Sequence, residues 1–230
     1  MSKMIVYHGS NHIIKKPIYN GSKRYNDYGY GFYTSQNKDV TKEWAVSNDE
    51  DGYLNIYDLN IDNLKILNLN SNEYNILNWL AILTKFRTYW QNNSISQQAK
   101  KYLQDNFFVD PNNYDLIIGY RADDSYFSFA QDFISGAISL RKLSEALYLG
   151  KLGEQIVLKS KKAFNNIKYL DCELVEAKKY YDLKIKRDLE ARKNYYDTKN
   201  KTDTIDDLFM IDIMRERMKG NDPRIQRIIY

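Results

Sequence analysis

The 230-residue chain has a single cysteine, two histidines and no apolar run approaching the ~18 residues a membrane-spanning helix needs. Each scarcity excludes something. With Cys172 alone, no intrachain disulfide can form, and a reducing cytoplasm is the expected compartment. His8 and His12 are the only histidines, and no Cys/His cluster accompanies them, so a structural zinc site is excluded. The first eight residues carry no long apolar stretch, so neither a secretory signal nor membrane association is expected. What is present suffices for a packed core: 43% of residues are hydrophobic, which argues against disorder throughout. The net charge of +4, from 34 basic and 30 acidic residues, is too balanced to demand a nucleic-acid partner. Basic residues do gather between Lys151 and Lys168, where Glu154 is the lone acid. A solvated face accounts for that cluster as well as an acidic partner would.

The densest local signal is residues 26–35, Asn-Asp-Tyr-Gly-Tyr-Gly-Phe-Tyr-Thr-Ser. Gly29 and Gly31 permit positive φ or close approach of the backbone to another group. Tyr28, Tyr30 and Tyr33 offer flat apolar faces tipped with hydroxyls, suited to a planar ring such as a nucleobase or nicotinamide.

The remaining pattern alternates short strands and helices. Residues 4–7 read as a strand ending in the turn His8-Gly9-Ser10, and residues 32–35 as a second strand. Residues 37–47 have helical spacing at Val40, Trp44 and Ala45, with Ser35 or Asn37 as cap. Alternation predicts strands over 52–59, 64–69, 114–119, 154–160 and 169–176. Amphipathic spacing predicts helices over 73–90, 96–108, 128–139 and 141–149, with a short one over 161–167. Residues 121–126 read as a polar loop and 150–153 as a glycine-bounded turn. From Ala177 the chain turns into a long charged helix, broken over 198–204 and followed by a final helix over 205–219.

Three segments taken in order carry a resemblance. Tyr7-His8-Gly9-Ser10, Asp27-Tyr28-Gly29-Tyr30-Gly31-Phe32-Tyr33-Thr34 and Gly153-Glu154-Gln155-Ile156-Val157 resemble the His-Tyr-Glu pattern of ADP-ribosyltransferases, and most closely the bacterial DUF3990 group, where Tyr28 stands in place of a phenylalanine. The resemblance implies an α+β ADP-ribosyltransferase-like fold: two small antiparallel sheets packed with a cleft between them, ringed by helices. It implies a catalytic domain over 1–176, with 177–230 a helical extension that covers it or binds a partner.

It also implies roles. His8 would hold a hydroxyl of the nicotinamide ribose, Gly9 would bond the carboxamide through its backbone, and Tyr33 would stack on the nicotinamide. Tyr30 is a further candidate for the NAD site, and both Tyr28 and Tyr30 fall in its supporting core or rim. Glu154 would bond the ribose 2′-hydroxyl and stabilise the departing cation, unless the register turns Gln155 to the site instead. Arg121 would bond an NAD phosphate or pair with Asp123 or Asp124; Lys23 and Arg24 are further phosphate candidates.

These residue types suit the chemistry in their own right. Cleaving the glycosidic bond of NAD builds positive charge on the ribose, as in glycoside hydrolysis. A fixed carboxylate is worth most where that charge develops. An aromatic face attracts the pyridinium by ~1–2 kcal/mol, and the nucleotide carries its own reactive bond, so no metal is called for.

The activity implied is NAD-dependent mono-ADP-ribosyl transfer to a macromolecule, a protein by fold-level analogy, in a bacterial toxin paired with a small antitoxin. The alternatives are NAD glycohydrolysis and a non-catalytic nucleotide- or partner-binding module.

Overall fold

The computed structural model describes residues 2–88, 93–122, 124–148 and 153–226, with backbone only at 124–126 and 148. In chain order the elements are β1 (Lys3–Ser10), β2 (Phe32–Thr34), α1 (Lys38–Ala45), β3 (Gly52–Asn60), β4 (Ile66–Asn68), α2 (Ile76–Phe86), α3 (Ser94–Asn106), β5 (Leu116–Tyr120), α4 (Asp124–Ile134), α5 (Leu140–Tyr148), β6 (Glu154–Leu158), α6 (Lys161–Asn165), β7 (Ile167–Val175), α7 (Ala177–Lys199), α8 (Met210–Arg215) and α9 (Pro223–Gln226). The chain is a mixed α+β protein. It forms two compact units, one of Met1–Asn68, Pro111–Arg121 and Leu152–Asp188, the other of Leu69–Asp110, Ala122–Lys151 and Leu189–Tyr230.

The first unit holds both sheets. One has strand order β1-β3-β7 and the other β2-β6-β5-β4. The first is antiparallel throughout. The second is not, since β4 runs parallel to β5; the expectation of two antiparallel sheets is corrected there. Parallel neighbours need a long crossover, and residues 69–115 supply it. Val6, Tyr57 and Leu59 from the first sheet pack against Phe32, Leu116, Ile156 and Leu158 from the second, with Ala163 of α6. The opposite face of the first sheet is covered by α1 and the start of α7, through Ala45, Val46, Leu54, Val175 and Ala177. Asn37 caps α1, its side chain accepting from the Val40 amide.

The two sheets meet edge to edge at a single rung. Tyr7 N donates to Ser35 O at 2.8 Å and Ser35 N to Tyr7 O at 3.0 Å.

The second unit is helical. Asn75 and Asn78 form a capping box at the start of α2, and Trp79, Leu80, Phe129 and Phe133 are fully buried. Tyr195 stacks on Phe129 with centroids 3.7 Å apart and donates its hydroxyl to Asp132.

Two expected elements differ. Residues 121–126 do not form one loop: α4 begins at Asp124, where an aspartate favours a helix N-terminus. The helix expected over 205–219 is confined to Met210–Arg215, and the short α9 follows it. Upstream, Asp207 is committed to a turn, accepting from the Thr204 amide and from Arg141 Nε and Nη2 at 2.7–2.8 Å. That guanidinium holds the Asp207 carboxyl down at about 2. Of the expected 150–153 turn, 150–152 lie outside the described residues, and Gly153 takes φ +70°.

Candidate functional site

Where β1 and β2 part, His8, Gly9 and the Tyr33 main chain come together. Beyond the Tyr7–Ser35 rung the ladder would next pair Gly9 with Tyr33. It does not: the Tyr33 carbonyl instead takes a hydrogen bond from His8 Nδ1 at 2.7 Å. A carbonyl only accepts, so Nδ1 carries the proton and Nε2 presents a lone pair. Burial lowers the His8 pKa below its ordinary 6.5, against a smaller upward pull from the Tyr33 bond. The ring is therefore neutral at physiological pH, an acceptor at Nε2. It is steadied by Phe32, whose ring centroid lies 4.4 Å away.

Antiparallel pairing alternates along a strand. The Tyr7–Ser35 bonds fix its phase on β1. Residues 7 and 9 turn their N–H and C=O away from β3, and residues 6, 8 and 10 turn theirs towards it. Gly9 thus points an amide donor and a carbonyl acceptor to the side where β2 has left. The missing side chain has a second reason. A Cβ on Gly9 would lie 2.3 Å from Thr41 O and 2.8 Å from Ala45 N in the backbone of α1. The position is glycine because a helix rests on it.

Glu154 opens β6, exposed at the strand mouth, and is the register partner of Tyr120 at the end of β5. Its carbonyl accepts from Ser35 Oγ at 2.9 Å, which places the Glu154 backbone one residue's width from the Tyr7–Ser35 rung. By alternation Glu154 shares a face with Ile156 and Leu158, the face turned to the first sheet and to His8. Gln155 is buried on the other face, its Oε1 without a partner.

Tyr33 stands on that other face too, because it pairs with Val157. Its hydroxyl donates to Gly29 O at 2.6 Å and accepts from Tyr28 N at 3.1 Å. The strand therefore brings the carbonyl of Tyr33 to His8, while its ring and the Glu154 side chain leave the sheet in opposite directions.

The aromatic stretch is held by more than its glycines. Gly29 takes φ +74°. Gly31 passes over β6 where a Cβ would come within 2.6 Å of Val157. Lys159, grouped by sequence with a solvated lysine face, is buried; its Nζ donates to Tyr28 O at 2.7 Å and to Tyr30 O. Tyr28 is fully buried and donates its hydroxyl to Tyr120 O. Tyr30 is exposed.

Arg121 follows β5 directly. Its guanidinium carbon lies 3.4 Å from the ring centroid of Trp44 on α1, an arrangement that stacks a cation on an indole. Of the alternatives for Arg121, Asp123 lies outside the described residues and Asp124 is the first residue of α4. Sequence reasoning noted Trp44 only for its helical spacing with Val40 and Ala45 and did not anticipate this contact; the residue is half-buried. Among the described residues no group of three His, Cys, Asp or Glu side chains converges as a metal site would require.

The arrangement can accept at His8 Nε2, donate and accept at Gly9, and present a carboxylate at Glu154. The chain belongs to the DUF3990 family, described as a protein of unknown function, whose model matches residues 4–169. No curated protein and no solved structure matches it. Among the described residues no helix is long and apolar enough to cross a membrane.

Proposed function

We propose that this protein transfers ADP-ribose from NAD to a macromolecular acceptor. The observation that carries the reading is the Gly9 main chain. Its N–H and C=O face the gap left by β2, a donor and an acceptor spaced as a carboxamide requires. A nicotinamide amide set there would make the two bonds that the β-ladder forgoes. Beside it, neutral His8 accepts a ribose hydroxyl at Nε2, with its other nitrogen locked on Tyr33 O. Glu154 lies on the face turned to His8 and stabilises the ribose as its bond to nicotinamide breaks.

In the step proposed, the bond between ribose C1′ and the nicotinamide nitrogen breaks, and nicotinamide leaves with the electron pair. A nucleophile of the acceptor bonds to C1′ and loses its proton. The Tyr33 ring enters this account as support for the 28–31 turn, and Trp44 with Arg121 forms a flat cationic surface after β5.

Glu154→Gln keeps the size of the side chain and removes its charge. It is expected to cut label transfer from NAD to cell extract by about 100-fold or more, the loss typical of removing one transition-state contact, while NAD binding falls little. Unchanged transfer would end the assignment. Nicotinamide release with no labelled macromolecule would favour glycohydrolysis instead.

A further inference from the structure

The connection from residue 11 to residue 31 has no helix or strand. Irregular connections longer than about 12–15 residues usually serve a function when ordered. This one is fastened along its length. Ile14 N donates to Asn55 Oδ1 at 2.8 Å, and Tyr57 donates its hydroxyl to Ile14 O at 2.6 Å. Gly31 N donates to Ser22 Oγ, Lys159 holds the carbonyls of Tyr28 and Tyr30, and Tyr19 sets its ring edge-on to Phe164. Asn55, Tyr57 and Lys159, which hold it, are buried.

The charges the loop shows to solvent are of one sign. Lys15, Lys16, Lys23 and Arg24 are exposed and form no ion pair among the described residues. The acid within the span, Asp27, is buried. On the same loop stand exposed apolar faces, Ile18 at 77% between Lys16 and Lys23 in the chain and Tyr25 at 63% directly after Arg24. Lys161 of α6 extends the patch, its ammonium 5.9 Å from the Tyr19 ring. Unpaired cations are what a phosphate chain needs, and an aromatic face between them takes an unstacked base. An acidic protein would use the cations and leave the aromatics idle.

We infer that the 11–31 loop is a docking surface for single-stranded nucleic acid, with Lys15, Lys16, Lys23 and Arg24 along the phosphates and Tyr25 stacked on a base. This surface is independent of the transfer reading: it requires neither NAD nor Glu154.

The test is fluorescence anisotropy of the full chain with labelled single-stranded DNA, single-stranded RNA and duplex DNA of mixed sequence, between 50 and 500 mM salt. Single strands are expected to bind, and duplex at least ten times more weakly; the DNA and RNA arms tell which sugar is preferred. Each phosphate contact on a single strand adds about 0.7 to the steepness of log affinity against log salt, so Lys23→Ala with Arg24→Ala should lower the slope by about 1.4. Tyr25→Ala should weaken binding by about 5- to 150-fold, with Tyr25→Trp restoring it. Lys15→Glu with Lys16→Glu gives an independent second variant, and thermal melting checks that each folds. Glu154→Gln should bind strands as the parent does, so a failed transfer assay and a failed docking surface are told apart. No binding at 50 mM salt, a slope unmoved by the Lys23/Arg24 pair, or equal binding of polyglutamate would overturn the inference.

Discussion

His8 Nδ1 occupies the hydrogen-bonding position on Tyr33 O that a continued β-ladder would have given to the Gly9 amide. One side chain thus ends the sheet and sets its own tautomer. The bond by itself would favour the charged ring, and burial outweighs it, so Nε2 stays unprotonated.

The pH dependence follows from the sign of that shift. The folded pKa lies below the ordinary 6.5, so the unfolded chain takes up the proton first as pH falls. Stability from this site is complete above about 6.5 and is lost on acidification towards the folded pKa. Melting temperature measured from pH 7.5 to 5.5 should fall more steeply for the parent than for His8→Gln. Equal slopes would mean that His8 does not titrate differently in the two states. NAD affinity should fall only at the acid end, as pH drops through the lowered folded pKa, because a protonated Nε2 can no longer accept.

Gly9→Ala tests the helix contact. The added methyl meets backbone atoms of α1, which cannot rotate out of the way. Overpacking of this kind costs about 1–3 kcal/mol, readable as a lower urea midpoint with an unchanged m-value. A melting temperature equal to the parent's would show that α1 can shift.

Tyr33→Phe keeps the ring and removes the hydroxyl. Gly29 O and Tyr28 N lose their partner together, which costs about 1–3 kcal/mol for buried groups left unpaired. The variant should melt earlier and give faster proteolysis or amide exchange within 27–31, with transfer activity reduced less than by Glu154→Gln. An activity loss matching that of Glu154→Gln would mean that the hydroxyl takes part in the chemistry.

The strands were legible because each carries a short alternating run: β3 over Gly52–Asn60 and β6 over Glu154–Leu158 fall where alternation placed them. The Gly29 and Gly31 reading held for two different reasons, a positive φ at one and a close approach at the other. Sheet membership was less legible. Nothing in Ile66–Asn68 announces a parallel neighbour, because a three-residue strand looks the same in either direction.

Lys159 was misread because composition places a lysine among lysines, and only the fold shows the two carbonyls that receive it. Residues 205–209 have helical spacing, yet Asp207 satisfies a turn and Arg141 at once, a long-range ion pair invisible to local pattern. That Glu154 shares the face of Ile156 and Leu158, and Gln155 the other, follows only from register, since β6 pairs with β2 and β5 in one phase. Nor did the pattern signal that residues 69–110 and 122–151 cluster with the C-terminal residues.

The Gly9 edge has a consequence for how such a site changes over time. Its donor and acceptor are main-chain atoms, present whatever residue occupies the position. A point substitution can alter selectivity built from side chains, but here it would first collide with α1. This donor–acceptor pair is therefore inherited with the fold. It can be lost by lengthening the ladder or releasing the helix, and remains silent in any residue-by-residue comparison of sequences.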